Sequence, residues 1–314
     1  MTQSLWCLIR FVSLGMFLVC ASLSAQPKSE PTLPWVRKLV SNPGVIVFVH
    51  GVTGDDRETW SSGTHFWPSM ISRDPAFNGQ NIYVYRYPSP RFGHTLSVDE
   101  VAENMRLMLK TDGVLNQSQI TFVSHSLGGI VTRAFLVKYQ REIAPKIRFL
   151  YFFATPTTGS HFAKLASFFS KNSQFKQLLP LDSDNYLGTL QSNWLAAGLR
   201  IKSYCAYETQ PLHGQTIVER ASATNLCTEP LDPIEADHIN IVKPTSPSST
   251  SYRALKAAFE ETSPTHSRPV PNRVASGRPS TPSASVRTPP ARSGVQWPEY
   301  LRLPLSIATI WPYP

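Results

Sequence analysis

The sequence predicts an α/β fold built on a mostly parallel central sheet with helices on both faces. Short runs of β-branched and aromatic residues recur along the chain, separated by amphipathic helical patterns. Alternating βα units of this kind close into a helix-covered, mostly parallel sheet. The runs are continuously apolar rather than alternating, as expected of strands buried on both faces. Two of them run into glycine-bearing turns, His50-Gly51-Val52-Thr53-Gly54 and Ser124-His125-Ser126-Leu127-Gly128-Gly129. In a parallel sheet such turns line one crevice, beyond the carboxyl ends of the strands.

The elements follow in order. Val45–Val49 and Ile82–Tyr85 are apolar strands. Ser97 and Glu100, three apart, form a capping box, and Val98, Val101, Met105, Met108 and Leu109 give the helix after it an apolar face. Ile120–Val123 is a third strand, followed by a helix from Leu127 to about Arg141. Further strands are expected at Ile147–Phe153, Ile201–Ala206 and Thr216–Glu219, with a closing helix at Tyr252–Glu260. Residues 161–199 interrupt this rhythm with helix-prone sequence and are read as a small helical cap. Its apolar residues, among them Phe162, Phe168, Leu187, Leu190 and Trp194, would either hold an acyl chain or pack the cap onto the body.

The ends of the chain differ from this body. Arg10, the apolar stretch Phe11–Leu23 and the small residues around Ala25 outline a secretory signal peptide over residues 1–25, with an uncleaved membrane anchor as the alternative. Residues 26–34 form a Pro-containing linker, and residues 35–261 the globular domain. Residues 262–314 make a Pro/Ser/Arg-rich tail that cannot bury enough apolar surface to order itself. From Thr262 onward the tail carries eleven of the 27 prolines, six arginines and one glutamate. About +5 of the net +9 therefore sits there, and the rest of the chain lacks the dense basic run of a nucleic-acid binder. The tail's charge leaves only a weak pull toward membrane surfaces. If the leader is removed, Cys7 and Cys20 go with it. Cys205 and Cys227 then remain, either as a disulfide in an oxidising compartment or as two buried thiols. No metal-ligand spacing is present, and no cofactor is expected.

Ser126 stands between a strand and a helix, with small residues around it, as a sharp turn that lifts a hydroxyl clear of a sheet requires. The segment matches a G-x-S-x-G elbow except that Ser124 replaces the first glycine. The N–H of Leu127, at the helix start, is a natural oxyanion donor. Val52, in the loop after Val45–Val49, supplies the second candidate donor, and Gly51 permits close approach. His50 is read as a brace for that loop, and Asp55, Asp56, Arg57 and Glu58 as solvated loop charges.

An activated serine needs an imidazole and an orienting carboxylate, in this fold in the chain order serine, acid, histidine. His238 lies after the last expected strand and before the last helix, the place for the base. Glu208, at the end of the Ile201–Ala206 strand region, is the preferred acid. Asp232, Asp237, Asp182 and Asp184 remain alternatives.

With Phe48–Asp55, Thr59-Trp60, Ser124–Gly129, Ala154–Ser160, Glu208-Thr209 and Asp237–Pro244 in hand, the chain resembles the lipase and esterase branch of the α/β-hydrolase superfamily. That branch includes GPI-inositol deacylase-like and serine-active-site-containing proteins. The resemblance spans most of residues 35–260. It implies a Ser126, His238, Glu208 triad, carboxylic-ester hydrolysis and no cofactor. Two departures are Ser124 at the glycine position and Thr157-Thr158 where members often carry a His-Arg pair. The expected partner is an ester, with lipid esters included. A thioesterase, amidase or acyltransferase on the same fold is the first alternative, and a non-catalytic binding module the second.

Overall fold

A computed structural model describes residues 34–41, 44–52, 54–89, 96–158 and 183–263. The expected leader, most of the linker, the cap up to residue 182 and the tail from residue 264 lie outside the described residues. Seven strands form the main sheet: β1 (Trp35–Arg37), β2 (Gly44–Val49), β5 (Gln80–Tyr85), β6 (Gln119–His125), β7 (Ile147–Phe153), β8 (Ser203–Glu208) and β9 (Leu231–Ile234). A two-stranded hairpin, β3 (Ser61–Ser62) with β4 (His65–Phe66), stands apart. The sheet order is β1-β5-β2-β6-β7-β8-β9, and every neighbour pair is parallel except β1 with β5.

The register explains where the site forms. Val49 of β2 lies beside Ser124 of β6, and Ser124 beside Phe152 of β7. The turns after β2 and β6 therefore leave the sheet side by side. Val45–Val49 and Phe149–Phe153 are fully buried, consistent with cover on both faces. The helices are α1 (Trp67–Arg73), α2 (Val98–Thr111), α3 (Leu127–Lys138), α4 (Gln140–Ile143), α5 (Ser183–Ala197), α6 (Arg220–Ala223) and α7 (Thr250–Glu261). Helices α2 and α5 pack against α3. Trp67 of α1 and Tyr252 of α7 meet within the same core, and the Tyr252 hydroxyl donates to Asp74 at 2.9 Å. The capping box forms: the Glu100 amide donates to Ser97 Oγ, and Glu100 accepts from the Ser97 amide at 2.7 Å.

Three sequence expectations need correction. Thr216–Glu219 is not a strand; the last strand is β9, and it contains Asp232-Pro233. A proline that cannot donate to a ladder hides the strand from pattern reading, yet it is tolerated because β9 is an edge. The helix expected to reach Arg141 ends at Lys138, because Tyr139 leaves helical geometry (φ −116°, ψ 27°) before α4 begins. Strand β1 and helix α1 were not expected at all. Of the cap, α5 is a helix as anticipated, and its buried Leu187, Leu190 and Trp194 pack the helix onto the body.

Candidate active site

Ser126 is the pivot of the turn between β6 and α3. Its backbone has φ +51° and ψ −126°, a left-handed conformation that non-glycine residues avoid at a cost of roughly 1–3 kcal/mol. The Ser126 amide donates to Phe153 O at 2.9 Å and so ties the turn to β7. Gly128 is sterically required: a Cβ there would stand 2.4 Å from the carbonyl oxygens of Val49 and His50. Gly51 is pressed less closely but still too tightly for a side chain, since its Cβ would lie 2.9 Å from Ser126 Cβ. Ser124, in place of the usual glycine, is fully buried and accommodated by α3. Its Oγ lies 2.9 Å from Thr132 Oγ1, which donates to Gly128 O at 2.8 Å.

Three side chains meet at this pivot. His238 Nε2 lies 3.0 Å from Ser126 Oγ, and His238 Nδ1 lies 2.7 Å from Glu208 Oε2. All three residues are buried. The other Glu208 oxygen, Oε1, accepts from the amides of Ile217 (2.6 Å) and Val218 (3.0 Å). The segment read as a strand thus serves instead as the seat of the carboxylate, its amides spent on Glu208 rather than on a ladder.

The competing acids are occupied elsewhere. Asp232 accepts from the Tyr151 hydroxyl. Asp237 Oδ1 accepts from the amides of Ile239 and Asn240, both at 2.9 Å, and so shapes the turn after His238 without reaching its ring. Asp184 lies in α5, and Asp182 falls outside the described residues.

The two candidate oxyanion donors lie beside this group. Leu127 is the first residue of α3, where amides lack intrahelical partners. Val52 lines, with Gly51, Ser126 and His238, a cavity of about 140 Å³. Ile239 adds an apolar wall, and Glu58 and Lys243 bring opposite charges. Of the loop charges read as solvated, Asp55, Arg57 and Glu58 are exposed as expected, and only Asp56 departs from that reading. Asp56 is buried and Glu58 borders the cavity. Trp60, fully buried against Phe48 and Trp67, draws the loop down onto the sheet. Asp55 Oδ1 accepts from the Arg57 and Glu58 amides and turns the chain there.

Two histidines surround the triad without joining it. His50 lies 0% exposed, stacks on Tyr87 at 4.1 Å, and its Nδ1 is 2.8 Å from Gly51 O. It braces the loop. His125 Nε2 donates to His238 O at 2.8 Å, a contact that holds the histidine loop against the elbow. Nothing in the local sequence pointed to it.

Burial pulls the His50 imidazole down to about 4, against an opposing bond from the Gly51 carbonyl. Burial, with the nearby His238, also holds His125 well below the ordinary histidine range. Between pH 6.5 and about 4 the unfolded chain takes up protons that the folded protein refuses. Stability is therefore full above pH 6.5 and falls as the pH drops, by about 3 kcal/mol from His50 alone. Urea unfolding at pH 7 and pH 4.5 checks this. His50→Asn is expected to flatten the loss, and an unchanged slope in that variant would refute the assignment.

Cys205 and Cys227 form a disulfide with Cα atoms 6.1 Å apart. The 22-residue separation encloses Glu208 together with Ile217 and Val218, so the bond closes the loop that seats the carboxylate. Cross-linking a loop of this length is worth about 3 kcal/mol by the chain-entropy account. The double variant Cys205→Ser/Cys227→Ser is expected to lose about that much in denaturant unfolding. Reductant should destabilise the native protein and leave the variant unaffected.

Residues 41–190 match the family model described as "Putative serine esterase (DUF676)". This span includes Ser126, Val52 and Leu127; Glu208 and His238 lie beyond it. No curated protein matches the chain by sequence. Among solved structures, phospholipase PlaB from Legionella pneumophila superposes with a TM-score of 0.54 at 17% identity, over 72% of this chain and 60% of that one. PlaB in complex with thio-NAD gives 0.53 at 18% identity, over 69% and 60%. Bacillus licheniformis lipase BlEst2 in its propeptide form gives 0.47 at 19% identity, over 67% and 49%. The matched part thus spans about 60% of PlaB's length. At these identities the likeness to solved structures is one of fold. The chain therefore has an α/β-hydrolase fold, and its residues 41–190 match the serine esterase family model.

Proposed function

We propose that the protein is a serine hydrolase that cleaves carboxylic esters through an acyl-enzyme on Ser126. The observation that carries this reading is the unbroken hydrogen-bond chain Ser126, His238, Glu208, which begins at the wall of a cavity. His238 Nε2 takes the proton of Ser126 as Oγ attacks the ester carbonyl. The amides of Val52 and Leu127 receive the negative charge that develops on the carbonyl oxygen. His238 returns the proton to the leaving alcohol, then activates water to release the acid. Glu208 holds the imidazole in the tautomer with its proton on Nδ1.

Acyl esters of lipids fall within this substrate class, and the apolar cap sequence is compatible with them. Export through the N-terminal leader is the accompanying expectation, and it is supported by the disulfide, since such bonds persist in oxidising compartments.

The test exposes the purified protein to a fluorophosphonate probe and to p-nitrophenyl esters, thioesters and amides of graded chain length. Covalent labelling at Ser126, with turnover fastest on oxygen esters, is the expected outcome. Labelling with preference for thioesters or amides would move the assignment to the sibling reactions. A folded protein that neither labels nor turns over any of them would leave a non-catalytic binding module as the reading.

A further inference from the structure

Arg133 carries a charge inside the fold with no carboxylate paired to it among the described residues. It projects from α3, is 2% exposed, and burial lowers its guanidinium only to about 9, so it stays cationic at neutral pH. Nη2 donates to Asn225 O at 3.1 Å. The ring centroids of Phe152 and Trp194 lie 4.5 Å and 5.7 Å from its central carbon. Nε and Nη1, which between them carry three N–H groups, have no hydrogen-bond partner among the described residues. One carbonyl and two aromatic faces return only part of the hydration that a buried cation gives up.

A small cavity opens beside this guanidinium, lined by Arg133, Thr157, Leu187, Leu190, Gln191 and Trp194. Its free volume of about 10 Å³ admits one water-sized group. Gln191, which also lines the cavity, accepts from Asn225 Nδ2 through Oε1 at 3.2 Å and so has its NH₂ group left to donate. The site therefore offers donors and a positive charge among apolar walls. Its size is too small for phosphate or sulfate, and its single charge does not match a divalent anion.

We propose that this cavity is a binding site for a monovalent anion of halide size, held by Arg133 Nε and Nη1 and by the Gln191 amide. The anion neutralises the buried guanidinium and joins α3 to α5 through the Asn225 segment, which the Cys205–Cys227 disulfide anchors. It is separate from the catalytic cavity, whose described lining shares no residue with it. A water in the same place would satisfy donors but leave the charge uncompensated; general salt effects act on wild type and variant alike, so a saturable halide response that requires Arg133 marks the anion.

Thermal unfolding of the full chain tests this at constant ionic strength and sodium, with gluconate replaced stepwise by chloride, bromide or acetate. Chloride and bromide are expected to raise the midpoint by about 3–5 °C for each tenfold concentration above the dissociation constant, and acetate to have no effect. Arg133→Met should be insensitive to the exchange. A crystal of the wild-type protein grown in bromide should show an anomalous peak in contact with the guanidinium, a readout that stands even if the variant does not fold. Equal midpoints in chloride and gluconate would overturn the proposal. So would stabilisation by acetate alone, or a cavity that holds water or a carboxylate of the chain in the bromide crystal.

Discussion

Replacing Ser126 with alanine is expected to lower kcat/KM on p-nitrophenyl esters by about 10⁵–10⁶-fold and to abolish fluorophosphonate labelling, while the protein stays folded. The size of the effect follows from the arrangement. Ser126 Oγ is the atom 3.0 Å from His238 Nε2, so without it no covalent path remains. What survives is the modest acceleration that the oxyanion amides give to water attack. The fold should tolerate the change. Alanine keeps the Cβ that the φ of +51° already accommodates, so the turn is no more strained than before. The loss to stability is one hydrogen bond, about 1 kcal/mol. A thermal melt beside the assay separates the two effects. A folded Ser126→Ala protein with more than a hundredth of the wild-type rate would remove Ser126 from the role of nucleophile.

Glu208→Gln should cost about 10⁴-fold in kcat by a different route. Oε1 faces two backbone donors, Ile217 N–H and Val218 N–H, and only an acceptor can sit there. The glutamine must therefore turn its carbonyl oxygen to those amides and its NH₂ to His238 Nδ1. A donor now faces the ring nitrogen, which has to become an acceptor. The imidazole proton moves to Nε2, the nitrogen that must be bare to take the proton of Ser126. Nitrogen-15 spectra of the imidazole should show the proton on Nδ1 in the wild type and on Nε2 in the variant. Had one of the two amides been absent, the amide group could flip and the defect would be milder. A variant within tenfold of wild type would show that another carboxylate orients the ring, and Asp232 and Asp237 would be tested next.

The two predictions draw on different layers of information. The elbow was legible from local sequence. A β-branched run, a serine, small residues and a helical pattern follow one another within fifteen positions, and sterics leave few ways to connect them. The same holds for the loop after β2, where Gly51 and Gly128 answer to one close approach of backbone to backbone. His238 was legible only through chain order, because topology constrains where a base can return to the sheet. Glu208 could be preferred but not separated from Asp232 and Asp237 by local pattern. Each aspartate lies near the right place in sequence and is excluded only by its partner in space, Tyr151 in one case and the Ile239 and Asn240 amides in the other.

The misreadings share a cause. Thr216–Glu219 has the residue types of a strand, but its amides go to a carboxylate nine and ten positions earlier. Leu231–Ile234 went unassigned because Pro233 breaks the strand pattern, and it is a strand because it lies at an edge. The sequence by itself therefore determined the fold class, the pivot at Ser126 and the crevice between two strand ends, since these follow from hydrophobic periodicity and local sterics. The tertiary structure alone decided which carboxylate faces His238, what holds that carboxylate, that His125 ties the histidine loop to the elbow, and that Arg133 is buried with no ion pair among the described residues. These depend on contacts between residues tens of positions apart, and the side chains and amides that meet there carry no mark of their partner in the local pattern.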